Sequence, residues 1–471
     1  MSSICTAINR ERKTMFRAGV GRTTLTPPLG TPLIGYGRRE RGADAIRDDI
    51  YATSLVLSDG AITVALVTCD LCTLPIQQVR YVQQRIEERT GIPPEHVLIN
   101  TSHAHSGPLT TFNEETPAGL RRIVLDLLDG IAESVVQAAA KLVPCQIVAG
   151  KGSVHASINR RQRNGYSDAV TPDSPEGTVD PNLHVVRIDG LDGTPVAVIT
   201  AYACHPVALR PPSHAYSADF VCALRECVEP RIGAPLLFAQ GAAGNLVPIG
   251  PDMKMEERLE LTGRMLGEEA LRVHAALGQN NRQAQGMLNE EEKQSQAATR
   301  KESRVREESL GTTLRTEESV SETAGAAPTP QTPLLAASSE TLLLDLWTDQ
   351  PPIVDAGHSH RTFPYLTPPL VDGKAECAVQ ALRIGDVALV GVAGEALVEI
   401  GLAVKNRSPF PHTIFLGYTN GCLGYIPTAA AYPAGGYEVH RAHAVYHLPA
   451  TVAPNSADRI VRTSLGLLGK L

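Results

Sequence analysis

The sequence predicts an α/β protein in which layered mixed sheets are flanked by helices. Short apolar runs rich in β-branched residues alternate with longer segments whose apolar residues recur every three or four positions. The chain has 471 residues, 43% of them hydrophobic, which is enough for a large buried core. The runs that predict strands are Ile62–Val67, Val97–Ile99, Val196–Ala203, Leu236–Ala239, Val387–Val392 and Thr413–Leu416.

Four segments between and after these strands have the periodicity of amphipathic helices. The first stops at Gly91-Ile92-Pro93-Pro94, where glycine and proline end a helix. The segments are Ile76–Arg89, Pro117–Leu142, Glu256–Leu277 and Asn455–Leu468. Because helices and strands alternate, we expect the sheets to be largely buried.

One domain is predicted over residues 16–471, interrupted by a segment of different composition at 279–336. This segment has no aromatic residue and few large apolar ones, so it cannot bury enough surface to offset the entropy lost on ordering. We therefore expect a disordered insertion there, inert rather than regulatory. Residues 1–15 are predicted to be a disordered N-terminus.

Composition and charge exclude several classes of protein. The net charge of −7, without a long basic run, argues against a nucleic-acid partner. No apolar stretch reaches the ~20 residues needed to span a bilayer. The N-terminus lacks the hydrophobic block of a secretory signal, and nine scattered cysteines suggest free thiols, so a cytoplasmic location is expected. Cys69 and Cys72 have redox-motif spacing but are more simply two small buried residues.

The unusual polar residues come directly after the predicted strands. His103 and His105 follow one strand, and His205, Glu395 and Tyr425 follow others. In α/β sheets ligands collect outside the carboxyl ends of strands, so these side chains are expected to converge. Two or three imidazoles and a carboxylate suit a hydrolytic zinc site.

The pattern alone leaves alternatives open for each of these residues. The two histidines could be ordinary loop residues, Glu395 could cap a helix, and Tyr425 could bond to backbone. Other histidines compete on pattern: His358, His360, His440, His443 and His447.

Several short motifs, in a fixed order along the chain, resemble those of a known family, and the resemblance distinguishes among the histidines. They are FRAGVGRTTLTPPLGTPLIGYGRR, LVTCDL, SHAHSGP, INRR, ACHP, FAQGAAGN, GEALVEIG, GYIPT and GYE. SHAHSGP is the most specific, being close to a His-Thr-His-Ser-Gly-Pro motif. In this order, over roughly residues 16–450, the sequence resembles the catalytic domain of the neutral/alkaline non-lysosomal ceramidases and their bacterial relatives.

The resemblance implies a zinc site and catalytic groups around it. The implied zinc ligands are His103, His205, Glu395 and Tyr425. His105 would transfer a proton or hold the zinc-bound water, and Arg160 and Tyr437 would stabilise the oxyanion. Asp70 is a candidate for orienting a ligand histidine, although a structural hydrogen bond is equally compatible with the sequence. Asp219 is similarly open.

The Gly-rich loop departs from the family pattern. Ceramidases have Gly-Asp-Val-Ser-Pro-Asn where this chain has Gly244-Asn245-Leu246-Val247-Pro248-Ile249, so Asn245 replaces Asp and Val247 replaces Ser. Gly244, Asn245 and Val247 are the candidate substrate-binding residues, and valine offers no hydrogen bond there. The family's C-terminal immunoglobulin-like domain is also expected to be missing.

These observations favour a zinc-dependent hydrolase that cleaves a linear amide by attack of a zinc-bound water. The substrate is expected to be a small-molecule or lipid-like acyl compound other than ceramide. Two alternatives remain: an esterase or lactonase that uses the same site, and a non-catalytic binding protein that retains the pocket. Val247 favours the binding protein, whereas retention of the whole ligand set opposes it.

Overall fold

The computed structural model describes residues 16–36, 39, 41–161, 177–279, 335–348 and 364–471. Residues 1–15 and 280–334 lie outside this range, as do His358 and His360. The disorder predicted at 1–15 and across most of 279–336 therefore stays a prediction. At the edges of the predicted insertion, residue 279 is helical and residues 335–336 belong to a strand.

The strands lie where the apolar runs predict them, together with others that the sequence did not reveal. In chain order they are β1 (Arg17–Thr24), β2 (Ala45–Ile46), β3 (Tyr51–Ser58), β4 (Thr63–Cys69), β5 (Val97–Thr101), β6 (Val143–Ser153), β7 (Ser157–Asn159), β8 (Asn182–Gly190), β9 (Pro195–Tyr202), β10 (Ala215–Tyr216), β11 (Leu236–Gln240), β12 (Leu246–Pro248), β13 (Leu335–Leu344), β14 (Leu370–Val371), β15 (Lys374–Ile384), β16 (Val387–Val392), β17 (Glu395–Ala396), β18 (His412–Leu416) and β19 (Tyr425–Ile426).

All four predicted helices are present, with ends within three residues of the predicted ones. The α-helices are α1 (Ile76–Thr90), α2 (Ala118–Ala139), α3 (Phe220–Ile232), α4 (residues 255–279), α5 (Val398–Lys405), α6 (Ala431–Ala434), α7 (Tyr437–His440), α8 (Ala442–Val445) and α9 (Ser456–Leu468). The helix α3 escaped prediction because its first six residues are all buried, which hides the three-and-four periodicity of a half-exposed helix.

Two mixed sheets form the centre of the molecule. The larger has eight strands in the order β11-β9-β8-β6-β1-β3-β4-β5, and the smaller has the order β13-β15-β16-β18, with β14 paired to β15. Parallel pairing joins β4 to β5, β9 to β11 and β16 to β18. Apolar side chains from both sheets share one core cluster, so the sheets pack face to face.

Helices cover the outer faces of both sheets. Helices α1 and α2 pack on the β3–β5 side of the large sheet, while α3 and α4 pack on its β8–β11 side. Helices α5 and α9 cover the small sheet. The predicted class of layered mixed sheets flanked by helices is confirmed. No helix within the described ranges is both long and apolar enough to cross a membrane.

Two buried amides join the strand ends that carry the candidate site. The Asn100 side chain donates to the carbonyls of Gln240 and Gly417, and its oxygen accepts from the Gln240 backbone N–H. The Gln240 side chain donates to the carbonyls of Ser102 and Cys204. These bonds hold the ends of β5, β9, β11 and β18 together, so the loops that follow them meet at one place.

Candidate metal centre

Three of the predicted ligands meet, because His103 and His205 both lie close to one oxygen of Glu395. Its Oε2 lies 3.2 Å from Nε2 of His103 and 3.1 Å from Nε2 of His205. All three side chains are buried, with at most 2% of each exposed. These residues form one of two groups of potential metal-ligating side chains among the described residues. The arrangement can hold a cation through two imidazoles and a carboxylate.

Backbone carbonyls fix the orientation of both imidazoles. Nδ1 of His103 lies 2.6 Å from the Cys72 carbonyl oxygen, and Nδ1 of His205 lies 2.6 Å from that of Ala243. A carbonyl can only accept, so each Nδ1 carries a proton, and each Nε2, which faces Glu395, is the nitrogen that would bind a cation once deprotonated. His103 also has a positive φ of 65°, a strained conformation that turns its ring into the centre.

Electrostatics keep two oppositely charged side chains in this buried group. Burial raises the pKa of Glu395, but the two histidines override it and hold the pKa well below its usual range. Burial lowers the pKa of His103, yet the Glu395 carboxylate outweighs this and raises it to about 10. Burial lowers the pKa of His205 to about 4. These shifts favour a proton on His103, which a cation bound by His103 and Glu395 would displace.

Two tyrosines that sequence reasoning missed support the carboxylate. The Tyr446 hydroxyl donates to Oε1 of Glu395, and the Tyr418 hydroxyl donates to Oε2 at 3.3 Å. Tyr418 also stacks on the His103 ring with centroids 4.3 Å apart. Tyr418 follows β18 directly, so the rule that placed His103 after β5 could have found it. Tyr446 lies beyond the last strand and had no such signal.

Tyr425 joins the centre from β19, whose pairing with β17 sets it beside Glu395. Its hydroxyl lies 3.5 Å from Nε2 of His205 and accepts a 2.8 Å hydrogen bond from Nη2 of Arg160. Burial raises the pKa of Tyr425, and the Arg160 guanidinium acts in the opposite direction. Arg160 thus favours the phenolate, which is the form of tyrosine that ligates a metal.

Arg160 is itself held by a buried carboxylate that the sequence did not single out. Its Nε donates to Glu438 at 3.0 Å, and Arg161 donates to the other oxygen of Glu438 at 2.6 Å. Tyr437, the neighbour of Glu438 on α7, places its ring 5.7 Å from that of Tyr425. Glu438 therefore connects Arg160 to the element that carries Tyr437.

His105 lies against the same centre without a hydrogen-bond partner for its ring. Its centroid is 4.7 Å from that of His103 and 5.8 Å from that of His205. Among the residues that the structure describes, neither of its ring nitrogens makes a hydrogen bond. His105 also belongs to the second group of potential metal-ligating side chains, with Cys72 and His103.

The Gly-rich loop contributes backbone and packing to the centre. A Cβ on Gly244 would lie 2.7 Å from the Glu395 carbonyl oxygen, so only glycine permits this approach. The buried Asn245 amide accepts from the Val398 N–H and donates to Glu399 at 3.2 Å, which caps helix α5. Val247 is buried on β12. That these residues bind substrate stays a prediction.

Asp70 does not orient a ligand histidine. Its carboxylate accepts from Arg225 at 2.8 and 3.0 Å and from the Tyr51 N–H at 3.0 Å. The role predicted for it is filled by the carbonyls of Cys72 and Ala243, which a sequence pattern does not display. Asp219 begins helix α3, where it accepts from the Phe220 N–H.

Three of the competing histidines lie within the described residues. Neither group of potential ligands within the described ranges contains His440, His443 or His447. His443 instead places Nδ1 2.9 Å from the Leu448 carbonyl oxygen, and the His440 ring packs beside Trp347.

Residues 16–232 match the family model of neutral/alkaline non-lysosomal ceramidase, N-terminal. Just under half of the chain is therefore similar to the N-terminal part of this ceramidase family. Its relatives include the neutral ceramidase of Mycobacterium tuberculosis, 29% identical over 40% of this chain and 31% of that protein, and neutral ceramidase A of Dictyostelium discoideum, 25% identical over 43% and 30%. The matched part thus spans about a third of these two ceramidases.

The likeness to a third ceramidase extends over most of the chain. The neutral ceramidase of Pseudomonas aeruginosa is 22% identical over 90% of this chain and 68% of its own length. Its crystal structure superimposes with a TM-score of 0.67 at 18% identity, covering 97% of this chain and 74% of that one. A structure described as ceramidase complexed with C2 gives 0.69 at the same identity, covering 97% and 75%. The fold is that of the ceramidases.

Proposed function

We propose that the chain is a zinc-dependent hydrolase that cleaves a linear amide bond of an N-acyl substrate by attack of water on the carbonyl. One observation carries the proposal: the Nε2 atoms of His103 and His205 converge on one Glu395 oxygen, with the Tyr425 hydroxyl beside them. The similarity to ceramidases supports the reaction class, since the relatives are named neutral ceramidases and ceramide is an N-acyl amide.

The donor set suits zinc. In a tetrahedral zinc site with bonds of ~2.0–2.1 Å, neighbouring ligand atoms are roughly 3.3 Å apart. The distances around Oε2 of Glu395 are 3.1 and 3.2 Å, and the Tyr425 hydroxyl is 3.5 Å from Nε2 of His205. His103, His205, Glu395 and Tyr425 would hold the ion. A zinc ion there supplies a Lewis acid that polarises the carbonyl and lowers the pKa of water towards ~7.

The surrounding residues have separate tasks in this proposal. His105, whose ring nitrogens have no partner in the described structure, transfers a proton to the nitrogen of the leaving amine. Arg160 stabilises the Tyr425 oxygen as an anion, and Tyr437 donates to the substrate oxygen as it becomes negative. Burial of the whole group keeps bulk water away and strengthens these interactions.

A lipid-like acyl substrate other than ceramide is proposed. Val247 replaces the serine of the ceramidase loop with a side chain that neither donates nor accepts a hydrogen bond. A site built to bond a substrate hydroxyl discriminates strongly, so the loss of one such group changes which amide is preferred.

Metal analysis of His103→Ala beside His155→Ala tests the proposal. His155 is exposed and belongs to neither group of potential ligands, so it serves as the matched control. We expect wild type and His155→Ala to bind one zinc and to hydrolyse N-acyl amides, and His103→Ala to lose both properties. A chelator should abolish turnover, and added zinc should restore it. Zinc retained by His103→Ala, or turnover that survives chelation, would contradict the proposal.

A further inference from the structure

A buried guanidinium lies beside His105 and is not used in the proposed chemistry. Nη1 of Arg39 donates to the His105 carbonyl at 2.6 Å, and its Cζ lies 5.2 Å above the Tyr36 ring. The Tyr36 ring contacts the His105 ring edge to face, with centroids 4.9 Å apart. We call Tyr36, Arg39 and His105 the Arg39 corner.

No acidic side chain in the described parts of the chain forms an ion pair with Arg39. Its Nε is buried without a hydrogen-bond partner there, and Nη2 has only a 3.5 Å contact with the Ser106 hydroxyl. Burial lowers the pKa of Arg39, and Tyr36 and Cys72 only partly oppose this. A largely buried cation without a counter-charge among the described residues is costly, and an anion that arrives from outside would offset that cost.

The wider surroundings of the corner are also positive. Three guanidinium groups and one carboxylate are close enough to Tyr36 to shift its pKa: those of Arg39, Arg210 and Arg258, and that of Asp219. Asp219 is already occupied by the N–H groups of Leu209 and Phe220. The corner therefore has an excess of positive charge that this carboxylate does not neutralise.

The Arg39 corner is packed directly against His105, whose ring separates it from the ligand histidines. Gly35 has a φ of 103°, and a Cβ there would lie 2.7 Å from Cγ of His105. His105 meanwhile contacts the rings of His103 and His205 on its other side. A group held by Arg39 is thus next to the residue that faces the ligand histidines.

We propose that the Arg39 corner binds a carboxylate of the substrate, so that the amides cleaved are N-acyl amino acids. The inference rests on the proposed amide hydrolysis. With Nη1 committed to the His105 carbonyl, the Nε and Nη2 edge of Arg39 remains, and its two parallel N–H groups match the two oxygens of a carboxylate. Ceramide has only hydroxyls on its amine part and would leave this charge unpaired.

Two matched substrates test the charge directly. N-lauroyl glycine carries the carboxylate, and N-lauroyl glycinamide has the same shape and the same scissile bond without the charge. We expect wild type to have the higher kcat/KM for the acid. In Arg39→Gln the preference should vanish through a rise in KM for the acid of roughly ten- to hundredfold, the value of a charge-assisted pair, and any loss for the glycinamide should be much smaller.

Two further variants separate recognition from folding. Arg39→Lys keeps the charge and should retain part of the preference, while Arg41→Gln, at an exposed arginine paired with Asp44, should behave as wild type. Equal loss for both substrates in Arg39→Gln, or no preference in wild type, would overturn the proposal, because Arg39 would then only support the loop that carries His105.

Failure of the hydrolase proposal can be distinguished from failure of the carboxylate site. If wild type cleaves neither compound, calorimetric binding of N-lauroyl glycine still examines the corner. Binding by wild type and Arg41→Gln but not by Arg39→Gln would support the carboxylate site on its own. Absence of binding in wild type would refute it.

Discussion

The Tyr446→Phe substitution should weaken zinc binding although Tyr446 is not a ligand. It removes one hydroxyl and leaves the ring, so no cavity forms. The lost interaction is the hydrogen bond to Oε1 of Glu395, the oxygen that does not face the histidines. A hydrogen bond to a charged group contributes about 1.5–3 kcal/mol. Since 1.4 kcal/mol is tenfold, zinc affinity should fall about 10- to 100-fold, the range of other outer-shell changes.

Competition with a chromophoric chelator measures the zinc Kd of Tyr446→Phe against wild type. Tyr432→Phe is the matched control, because the Tyr432 hydroxyl is equally buried but donates to the Val452 carbonyl away from the centre. An unchanged Kd in Tyr446→Phe, or the same loss in Tyr432→Phe, would refute the claim that Tyr446 holds the carboxylate in its metal-binding orientation.

Two other substitutions separate positioning from stability. Glu438→Gln should lower kcat at least about tenfold with little change in KM, since it releases Arg160 from its position beside Tyr425, and it should also weaken zinc binding because Arg160 favours the Tyr425 phenolate; steady-state kinetics with metal analysis would show both effects. A parallel rise in KM would instead indicate a substrate-binding role. Asp70→Asn should lower the free energy of unfolding by about 3 kcal/mol, measured by urea unfolding, because it leaves the buried Arg225 without its counter-charge. The zinc content of the folded variant should be unchanged. Loss of zinc from the folded variant would indicate that Asp70 orients a ligand histidine.

The sequence predicted those parts of the fold that a one-dimensional pattern records. The apolar runs of β4, β5, β9, β11, β16 and β18 are short and continuous because these strands are buried on both faces. The helix α2 shows its periodicity because one face is exposed. Strand β6 was missed because most of its residues are only half-buried or exposed, so it offers neither an apolar run nor a clear alternation.

The same division holds for the candidate site. The ordered motifs named His103, His205, Glu395 and Tyr425, which the structure brings together, although no measurement yet tests them as ligands. The motifs could not identify the carbonyls of Cys72 and Ala243 as partners of the histidines, since every residue has a carbonyl. They also missed Glu438 and Tyr446, whose partners lie far away in the sequence and outside the strand ends.

His103 and His105 are separated by one residue, and they differ in whether a ring nitrogen makes a hydrogen bond. His103 has its Nδ1 fixed by the Cys72 carbonyl, so its Nε2 has a single direction and a defined lone pair. His105 makes no such bond in the described structure, and its orientation is set by ring contacts with Tyr36 and His103. A ligand needs a fixed tautomer, whereas a proton carrier must be able to exchange which nitrogen holds the proton. The contacts therefore support the different roles proposed for the two histidines, on physical grounds that do not depend on the family resemblance.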